Sequence, residues 1–311
     1  PQPLVTVSAN REAAGRADIL VLGDSFSMGN VWQSELRRQT GRLTESFGFD
    51  QPGALPRFVA AAVSPGHRRS SLVIIETVER DFLRWFETPP PETATAPLPF
   101  DNPAGQTHAM PLTGAWHLDG RHLLRVAAQS IRLARQPRSP LADPEVMNVP
   151  LTSAGLFSNA RADRLLYYRA DDAKSTWTDA RIDQAIDHLV AIERRLARAG
   201  VRLLVVVVPD KSSVYRPFIR GAESAAESLD LPARLARRGV PSLDLLAPMR
   251  AAVLTVPDLY MPNDTHLSTA GFLLVAGEIG HRIVADLASA SASAPSPTGS
   301  PSPGAVGPAR P

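Results

Sequence analysis

The chain has 311 residues, of which 44% are hydrophobic and 21% charged, so it is long enough for a large domain with a buried core. Its 33 basic and 31 acidic residues leave a net charge of only +2, which gives no basis for inferring nucleic-acid binding, and we predict no nucleic-acid partner. The sequence contains no cysteine, which excludes disulfides and thiolate metal sites, and no apolar run approaches the ~18–20 residues of a membrane span.

The first half of the chain alternates short apolar runs with amphipathic segments. Residues 19–22 and 71–76 have the apolar, β-branched composition of buried strands. The segments predicted as helices are 31–40, 55–63 and 79–86. From residue 88 the chain is rich in proline and lacks periodicity, so we predict an irregular insertion over residues 88–160.

The second half contains the clearest periodicity. Between residues 178 and 199, apolar side chains recur every three or four positions and Gly200 follows, which predicts a helix with a defined end. Residues 201–208 are almost continuously apolar, as is typical of a central strand in a parallel sheet. The other predicted elements are strands at 165–168 and 242–246, helices at 231–238 and 268–287, and a loop at 259–266. This alternation predicts an α/β fold with a parallel sheet.

These patterns divide the chain into three parts. We predict an N-terminal lead-in over residues 1–16 and one catalytic domain over residues 17–288, which carries the insertion at 88–160. Residues 289–311 consist mainly of Ala, Ser, Pro and Gly, so they cannot bury enough apolar surface to fold and should form a disordered tail.

A serine stands directly after the first predicted strand, in the segment 23–27 (GDSFS). The carboxyl edge of a parallel sheet is where α/β proteins bind ligands, which makes Ser25 a candidate nucleophile. A serine hydroxyl needs a base in hydrogen-bond reach and a third group that orients the base. The alternative is that Asp24 and Ser25 only cap the next helix.

Asp264, Thr265 and His266 provide the missing base and orienting acid. In an extended loop, side chains two residues apart lie on one side, so the Asp264 carboxylate can accept the Nδ1 proton of His266. Two alternatives remain: Asp264 or Thr265 caps the following helix and His266 lies on the surface, or Asp264 and His266 are metal ligands, although no third ligand is evident. We predict a catalytic triad of Ser25, His266 and Asp264, with no metal and no cofactor.

Together these motifs resemble the first and last blocks of the SGNH (GDSL-like) hydrolase superfamily. More narrowly, the chain is similar to the alginate O-acetyltransferase group, the AlgJ/AlgX-like proteins. The similarity rests on the segments 23–27 (GDSFS), 76–80 (ETVER), 208–215 (VPDKSSVY) and 264–266 (DTH). The Asp-x-His element follows the serine motif, as in ordinary SGNH esterases.

The resemblance implies a three-layer α/β/α fold with Ser25 as nucleophile, His266 as base and Asp264 as orienting acid. It also implies a periplasmic or otherwise extracytoplasmic protein, free or anchored through a segment outside this sequence. Such a protein transfers acetyl groups, delivered by a membrane-bound O-acyltransferase, to a polysaccharide acceptor. We therefore predict a serine-dependent O-acetyltransferase that works through an acetyl-enzyme on Ser25. Two alternatives stay open: a carbohydrate or lipid esterase with water as acceptor, and a non-catalytic glycan-binding component of a secretion complex.

The oxyanion hole is the least defined part of the predicted site. The usual SGNH oxyanion asparagine is missing, and residues 76–80 occupy its expected place. The backbone N–H of Ser25 is one predicted donor. We assign the second donor to Gly53, with Gly48 as the alternative.

Three further side chains are predicted to support the site. Arg80 is either a third oxyanion donor or, as we favour, the structural ion-pair partner of Glu76 or Glu79. Lys211 and Tyr215 follow the strand 201–208 and are predicted to contact the acceptor sugar. The alternative for these two is a turn residue and a packed aromatic.

Overall fold

A computed structural model describes residues 17–64, 70–88, 145–221 and 229–292. Five parallel strands form a central sheet in the order β2-β1-β3-β6-β7, and β4 and β5 form a separate antiparallel pair. The strands are β1 (Ile19–Gly23), β2 (Thr44–Gly48), β3 (Leu72–Val78), β4 (Val146–Pro150), β5 (Arg164–Tyr168), β6 (Arg202–Val208) and β7 (Ser242–Asp244). The α-helices are α1 (Ser25–Met28), α2 (Val31–Thr40), α3 (Ala54–Ala62), α4 (Phe82–Phe86), α5 (Asp179–Arg198), α6 (Lys211–Tyr215), α7 (Leu231–Arg237), α8 (Leu246–Val253) and α9 (Thr269–Ala292).

Three layers follow from the way the central strands direct their side chains. In β1, Leu20 and Leu22 face one side of the sheet, and Ile19 and Val21 face the other. The first side packs against α3, α4, α5 and α7, and the second packs against α2, α8 and α9. Strands buried on both faces have nearly continuous apolar sequences, as β6 (RLLVVVV) does. The predicted three-layer α/β/α fold with a central parallel sheet is confirmed.

The sheet order places a crevice next to β1. The chain passes from β1 to β2 on one side and then returns to β3 on the other side of β1, so the direction of winding reverses between β1 and β3. In open parallel sheets, ligands bind at the carboxyl ends of the strands where this reversal occurs. Ser25 directly follows β1 at that edge.

Several elements differ from the sequence predictions. The helix predicted at 178–199 is confirmed as α5, but β2, α6 and α8 were not predicted. The strand β2 (TESFG) lacks an apolar run because three of its five residues are polar, and α6 is only five residues long. Part of the predicted irregular insertion is ordered, because β4 pairs with β5.

The ends of the predicted domain are only partly described. Helix α9 continues to Ala292, so the first residues of the predicted tail at 289–311 are helical. The lead-in at 1–16, residues 89–144 of the predicted insertion and the rest of the tail lie outside the described residues. Among the helices of the described ranges, none combines the length and the hydropathy needed to cross a bilayer.

Candidate active site

In the turn after β1, Asp24 caps the next helix and Ser25 is exposed. Asp24 is the N-cap of α1, and its Oδ1 accepts a 2.9 Å hydrogen bond from the backbone N–H of Phe26. Its Oδ2 accepts a 2.7 Å hydrogen bond from the backbone N–H of Val78, so the carboxylate is directed toward β3. Because Asp24 alone caps the helix, the side chain of Ser25 remains exposed.

The buried carboxyl group of Glu76 binds this turn through a hydrogen bond from Ser27. The hydroxyl of Ser27 donates to Oε2 of Glu76 at 2.6 Å and accepts from Nε1 of Trp32 at 3.3 Å. A Cβ atom at Gly23 would lie 2.3 Å from the Ser27 Oγ, so only glycine permits this approach. Burial raises the pKa of Glu76 well above its ordinary value, and the nearby charge of Asp24 raises it further. None of these contacts was predicted from the sequence.

The structure brings Ser25, His266 and Asp264 together. Nε2 of His266 lies 2.9 Å from Oγ of Ser25, and Nδ1 lies 2.7 Å from Oδ1 of Asp264. The same carboxylate oxygen accepts the backbone N–H of His266 at 3.0 Å, and the Phe26 ring lies 5.1 Å from the imidazole. When Nδ1 donates to Asp264, Nε2 is left to accept the hydroxyl proton of Ser25.

Charge and solvent access at the triad suit acid–base chemistry. Burial alone would raise the pKa of Asp264, but the backbone and side-chain hydrogen bonds from His266 outweigh it, and the pKa is lowered. The side chains of His266 and Asp264 are 33% and 48% exposed, so water reaches them. No group of three His, Asp or Glu side chains suited to a metal ion occurs in the described part of the chain.

A cleft of about 350 Å³ opens beside Ser25. It is lined by the ends of β1 and β2 and by the segments that follow β1, β2 and β3: Gly23, Asp24, Ser25, Met28, Gly48, Phe49, Asp50, Asp81, Arg84 and Trp85. The rings of Phe49 and Trp85 stack with centroids 4.6 Å apart, and the guanidinium of Arg84 lies 4.5 Å from the Trp85 ring centroid. The sequence did not indicate these aromatic residues as part of the site, because Phe49 follows the unpredicted strand β2 and Trp85 lies within a predicted helix.

Of the two glycines considered as the second oxyanion donor, Gly48 lines this cleft and Gly53 does not, which corrects the choice of Gly53. Gly48 ends β2 and pairs with Gly23 across the sheet, so the pairing brings it to the edge where Ser25 lies. Gly53 instead begins α3 as its N-cap, with a φ of +63°, and is not among the described residues that line the cleft.

Arg80 is held in a buried ion-pair network. Its Nη1 lies 3.2 Å from Oδ1 of Asp171 and 3.1 Å from Oδ1 of Asp210. The predicted partners Glu76 and Glu79 are therefore wrong. Glu76 is directed to the serine turn instead, and the residues that meet Arg80 come from distant segments.

The second cation of this network is Lys174. Its Nζ contacts Oε2 of Glu79 at 2.9 Å, Oδ2 of Asp210 at 2.6 Å and Oγ of Ser213 at 2.7 Å. These contacts connect the carboxyl ends of β3 and β6 to the 3-10 helix Arg169–Thr176. The signal in the sequence was a lysine beside two aspartates at 171–174 (DDAK), in a segment without other distinguishing features.

The predicted contact of Lys211 and Tyr215 with an acceptor sugar is wrong, because both side chains are buried. Lys211 donates to backbone carbonyls of residues 261–264. The Tyr215 ring stacks on Phe157 with centroids 4.8 Å apart, and its hydroxyl accepts from the backbone N–H of Tyr260 at 3.5 Å. The alternative of a packed aromatic describes Tyr215 correctly.

Comparison with known proteins agrees with this fold. Residues 162–299 match the family model of an SGNH hydrolase-like domain, that of the acetyltransferase AlgX. The matched region includes Asp264 and His266 and begins after Ser25.

Two individual proteins are also similar. A stretch of 96 residues is 35% identical to the probable alginate O-acetylase AlgJ of Pseudomonas aeruginosa, and it covers 30% of this chain but only 24% of that relative. A solved structure of a proposed acylhydrolase from Bacteroides fragilis aligns over 86% of this chain and 87% of its own, at 12% identity and a TM-score of 0.40. The family match and the AlgJ match confirm the resemblance to the SGNH hydrolase-like AlgX/AlgJ group that the sequence motifs indicate.

Proposed function

We propose that this protein is a serine-dependent O-acetyltransferase that modifies an exported polysaccharide. The observation that carries the proposal is the hydrogen-bond chain from Ser25 through His266 to Asp264. A nucleophile, a base in contact with it and an acid that orients the base are the three parts that acyl transfer through serine requires.

In the first step, Oγ of Ser25 attacks the carbonyl carbon of the acetyl donor while Nε2 of His266 takes the hydroxyl proton. The charge of Asp264 stabilises the imidazolium that forms. Collapse of the tetrahedral intermediate breaks the bond to the donor, and His266 returns the proton to the leaving group. The product is an acetyl ester on Ser25.

The oxyanion of that intermediate needs backbone donors. Asp24 already accepts from the N–H groups of Phe26 and Ser27, through its side chain and its backbone carbonyl respectively. We therefore assign the first donor to the N–H of Ser25, which precedes both. We assign the second donor to the turn around Gly48, which lines the same cleft.

In the second step, an acceptor hydroxyl replaces the donor. His266 deprotonates this hydroxyl, whose oxygen attacks the acetyl carbon, and the bond to Ser25 breaks as the serine recovers its proton. The cleft beside Ser25 suits a sugar acceptor because its volume of about 350 Å³ exceeds the needs of an acetyl group. Aromatic surface at Trp85 and charged groups at Arg84 and Asp81 are the contacts that sugars use.

An acetylesterase is the second candidate, and one observation favours it. Because the side chains of His266 and Asp264 are partly exposed, water has access to the base and can take the place of the acceptor hydroxyl. The choice between transfer and hydrolysis then depends on whether a bound acceptor excludes water from the cleft.

The similarity to AlgJ supports an extracytoplasmic location and an acidic acceptor such as alginate. An acetyl donor supplied by a membrane-bound O-acyltransferase is consistent with that location. Both points are part of the proposal.

The test is an acetyl-transfer assay with the purified chain. It uses p-nitrophenyl acetate as donor, with alginate oligosaccharides or a neutral oligosaccharide as acceptor. We expect nitrophenol release and, by mass spectrometry, acetylated alginate oligosaccharide. Acetate without acetylated sugar would identify the esterase.

The control variant is Ser25→Ala, which removes the nucleophile and leaves Asp24 to cap α1. Its melting temperature should equal that of the wild-type chain. An equal rate of nitrophenol release in Ser25→Ala, or no turnover in the wild-type chain, would reject both enzymatic functions.

A further inference from the structure

One buried lysine contacts the loop that carries the base. Lys211 is the first residue of α6, directly beyond β6, and its side chain is buried. Its Nζ donates to the backbone carbonyls of Met261 at 2.7 Å, Pro262 at 3.1 Å and Asp264 at 3.0 Å. An ammonium group has three protons, so all of its donors go to this one loop.

We propose that Lys211 is the positioning residue for the catalytic base, holding residues 261–266 so that His266 stays in reach of Ser25. The inference rests on the proposed function, in which His266 moves the proton of Ser25. Lys211 touches neither the substrate cleft nor the triad side chains, and acts through the backbone of the loop.

The loop depends on such a support because its own hydrogen bonds are mostly internal. The N–H of Met261 donates to the carbonyl of His266 at 3.0 Å, and the N–H of Asp264 donates to the carbonyl of Met261 at 3.3 Å. These bonds define the shape of the turn without fixing its distance from the sheet. Lys211 connects residues 261–264 to the end of β6, beside the Tyr260 hydroxyl, which donates to the carbonyl of Pro209 from just before the loop.

The contacts of Lys211 differ from those of a structural ion pair. Lys174 has two carboxylates as direct partners, whereas no carboxylate of the described residues lies within ion-pair distance of Lys211. Carbonyl dipoles and the ring of Phe157, whose centroid lies 5.0 Å from Nζ, surround the charge instead. A cation kept in such an environment points to a role of the charge itself.

Titration of Lys211 should therefore affect the loop. Burial lowers the pKa of Lys211 to about 7, against the raising effect of the charges of Asp171, Asp264 and Asp258. The neutral amine has one proton fewer, so the loop loses one of its three hydrogen bonds as the pH rises through about 7.

Although the loop loses a hydrogen bond as the pH rises, the stability of the protein is expected to increase with pH. The folded pKa lies below the ordinary value of 10.5, so between these two values the unfolded chain binds more protons. The contribution of Lys211 to stability therefore rises with pH in that window. A loss of activity together with constant or rising stability separates positioning from a structural role.

The experiment compares wild-type protein with Lys211→Met. Wild-type kcat for p-nitrophenyl acetate should fall on the alkaline side with a midpoint near 7. In Lys211→Met, kcat should be about 10- to 100-fold lower, with little change in KM and without that alkaline limb. Hydrogen–deuterium exchange, corrected for the pH dependence of the intrinsic exchange rate, should show weaker protection of residues 261–266 in the variant, and weaker protection in the wild type at alkaline pH.

Lys174→Met is the matched control, because it removes the other lysine of the sequence without touching the loop. It should lower the melting temperature and keep the alkaline limb.

Unchanged kcat and unchanged loop exchange in Lys211→Met would overturn the inference and leave the proposed function standing. If the wild type shows no activity, the proposed function fails, and exchange of the loop still tests the role of Lys211. If Lys211→Met does not fold, a wild-type chain whose kcat and loop protection are both constant across pH 7 overturns the inference.

Discussion

The carboxylate of Asp24 accepts a 2.7 Å hydrogen bond from the backbone N–H of Val78. This bond ties the turn that carries the candidate nucleophile to the end of β3, fifty-four residues later in the chain. Burial raises the pKa of Asp24, because the group is held away from water. The position of Ser25 is thus determined by a long-range contact of its neighbour.

Asp264→Asn tests the orienting acid. The amide cannot stabilise an imidazolium, and it favours the wrong tautomer of His266, so kcat should fall by about 10³–10⁴-fold. The melting temperature should stay near that of the wild type, since the side chain is 48% exposed. Asp286→Asn is the control, because Asp286 is similarly exposed on α9 and pairs only with Arg282 in the described contacts. Equal activity of both variants would contradict the assignment.

Glu76→Gln tests the buried acid below the serine turn. Because the folded pKa of Glu76 is raised above 4.5, its contribution to stability is present below that pH and is lost as the pH rises through the folded value. The neutral amide of Gln does not titrate. The difference in unfolding free energy between Glu76→Gln and the wild type should therefore shift in favour of the variant as the pH rises. Urea unfolding at several pH values measures it, and a constant difference would refute the assignment.

Gly271→Ala and Gly277→Ala form a matched pair within α9. A Cβ at Gly271 would lie 2.3 Å from the backbone oxygen of Leu259, so the substitution should destabilise the protein by about 1–3 kcal/mol. Among the described residues, a Cβ at Gly277 would meet no atom within 4 Å apart from its own helix backbone and chain neighbours, so alanine there should stabilise the helix by about 0.5–1 kcal/mol. Thermal unfolding measures both changes. Equal effects at the two positions would contradict the close packing of Gly271 against the backbone of Leu259.

Trp85→Ala tests the acceptor cleft. Removal of the ring leaves Ser25, His266 and Asp264 in place, so nitrophenol release without acceptor should change by less than about tenfold. Formation of acetylated sugar should fall further, through a higher KM for the oligosaccharide, because the aromatic surface is lost. Trp177→Ala is the control, since Trp177 packs against the core and does not line the cleft. A proportional loss of both reactions in Trp85→Ala would argue against an acceptor site here.

Periodicity predicted the elements whose signal is local. The apolar stripe of α5 and the continuous apolar run of β6 each lie within one segment, and both are confirmed. Strand β2 was missed because its polar residues Glu45 and Ser46 are buried, which a hydrophobic pattern cannot reveal. Without β2, the sequence pattern does not place Gly48 at the edge of the sheet where Ser25 lies.

The candidate triad was accessible from the sequence because Ser25 follows a recognisable strand and Asp264 and His266 are two residues apart. The environment of these residues was not accessible from the sequence, because it arises from contacts between distant segments. Lys211 lies about fifty residues from the loop it binds, and Asp171 and Asp210 approach Arg80 from two different elements. A sequence motif depends on local spacing alone, so it shows which chemical groups are present. Their distances, burial and protonation depend on how the sheet brings strand ends together, and only the folded chain determines that.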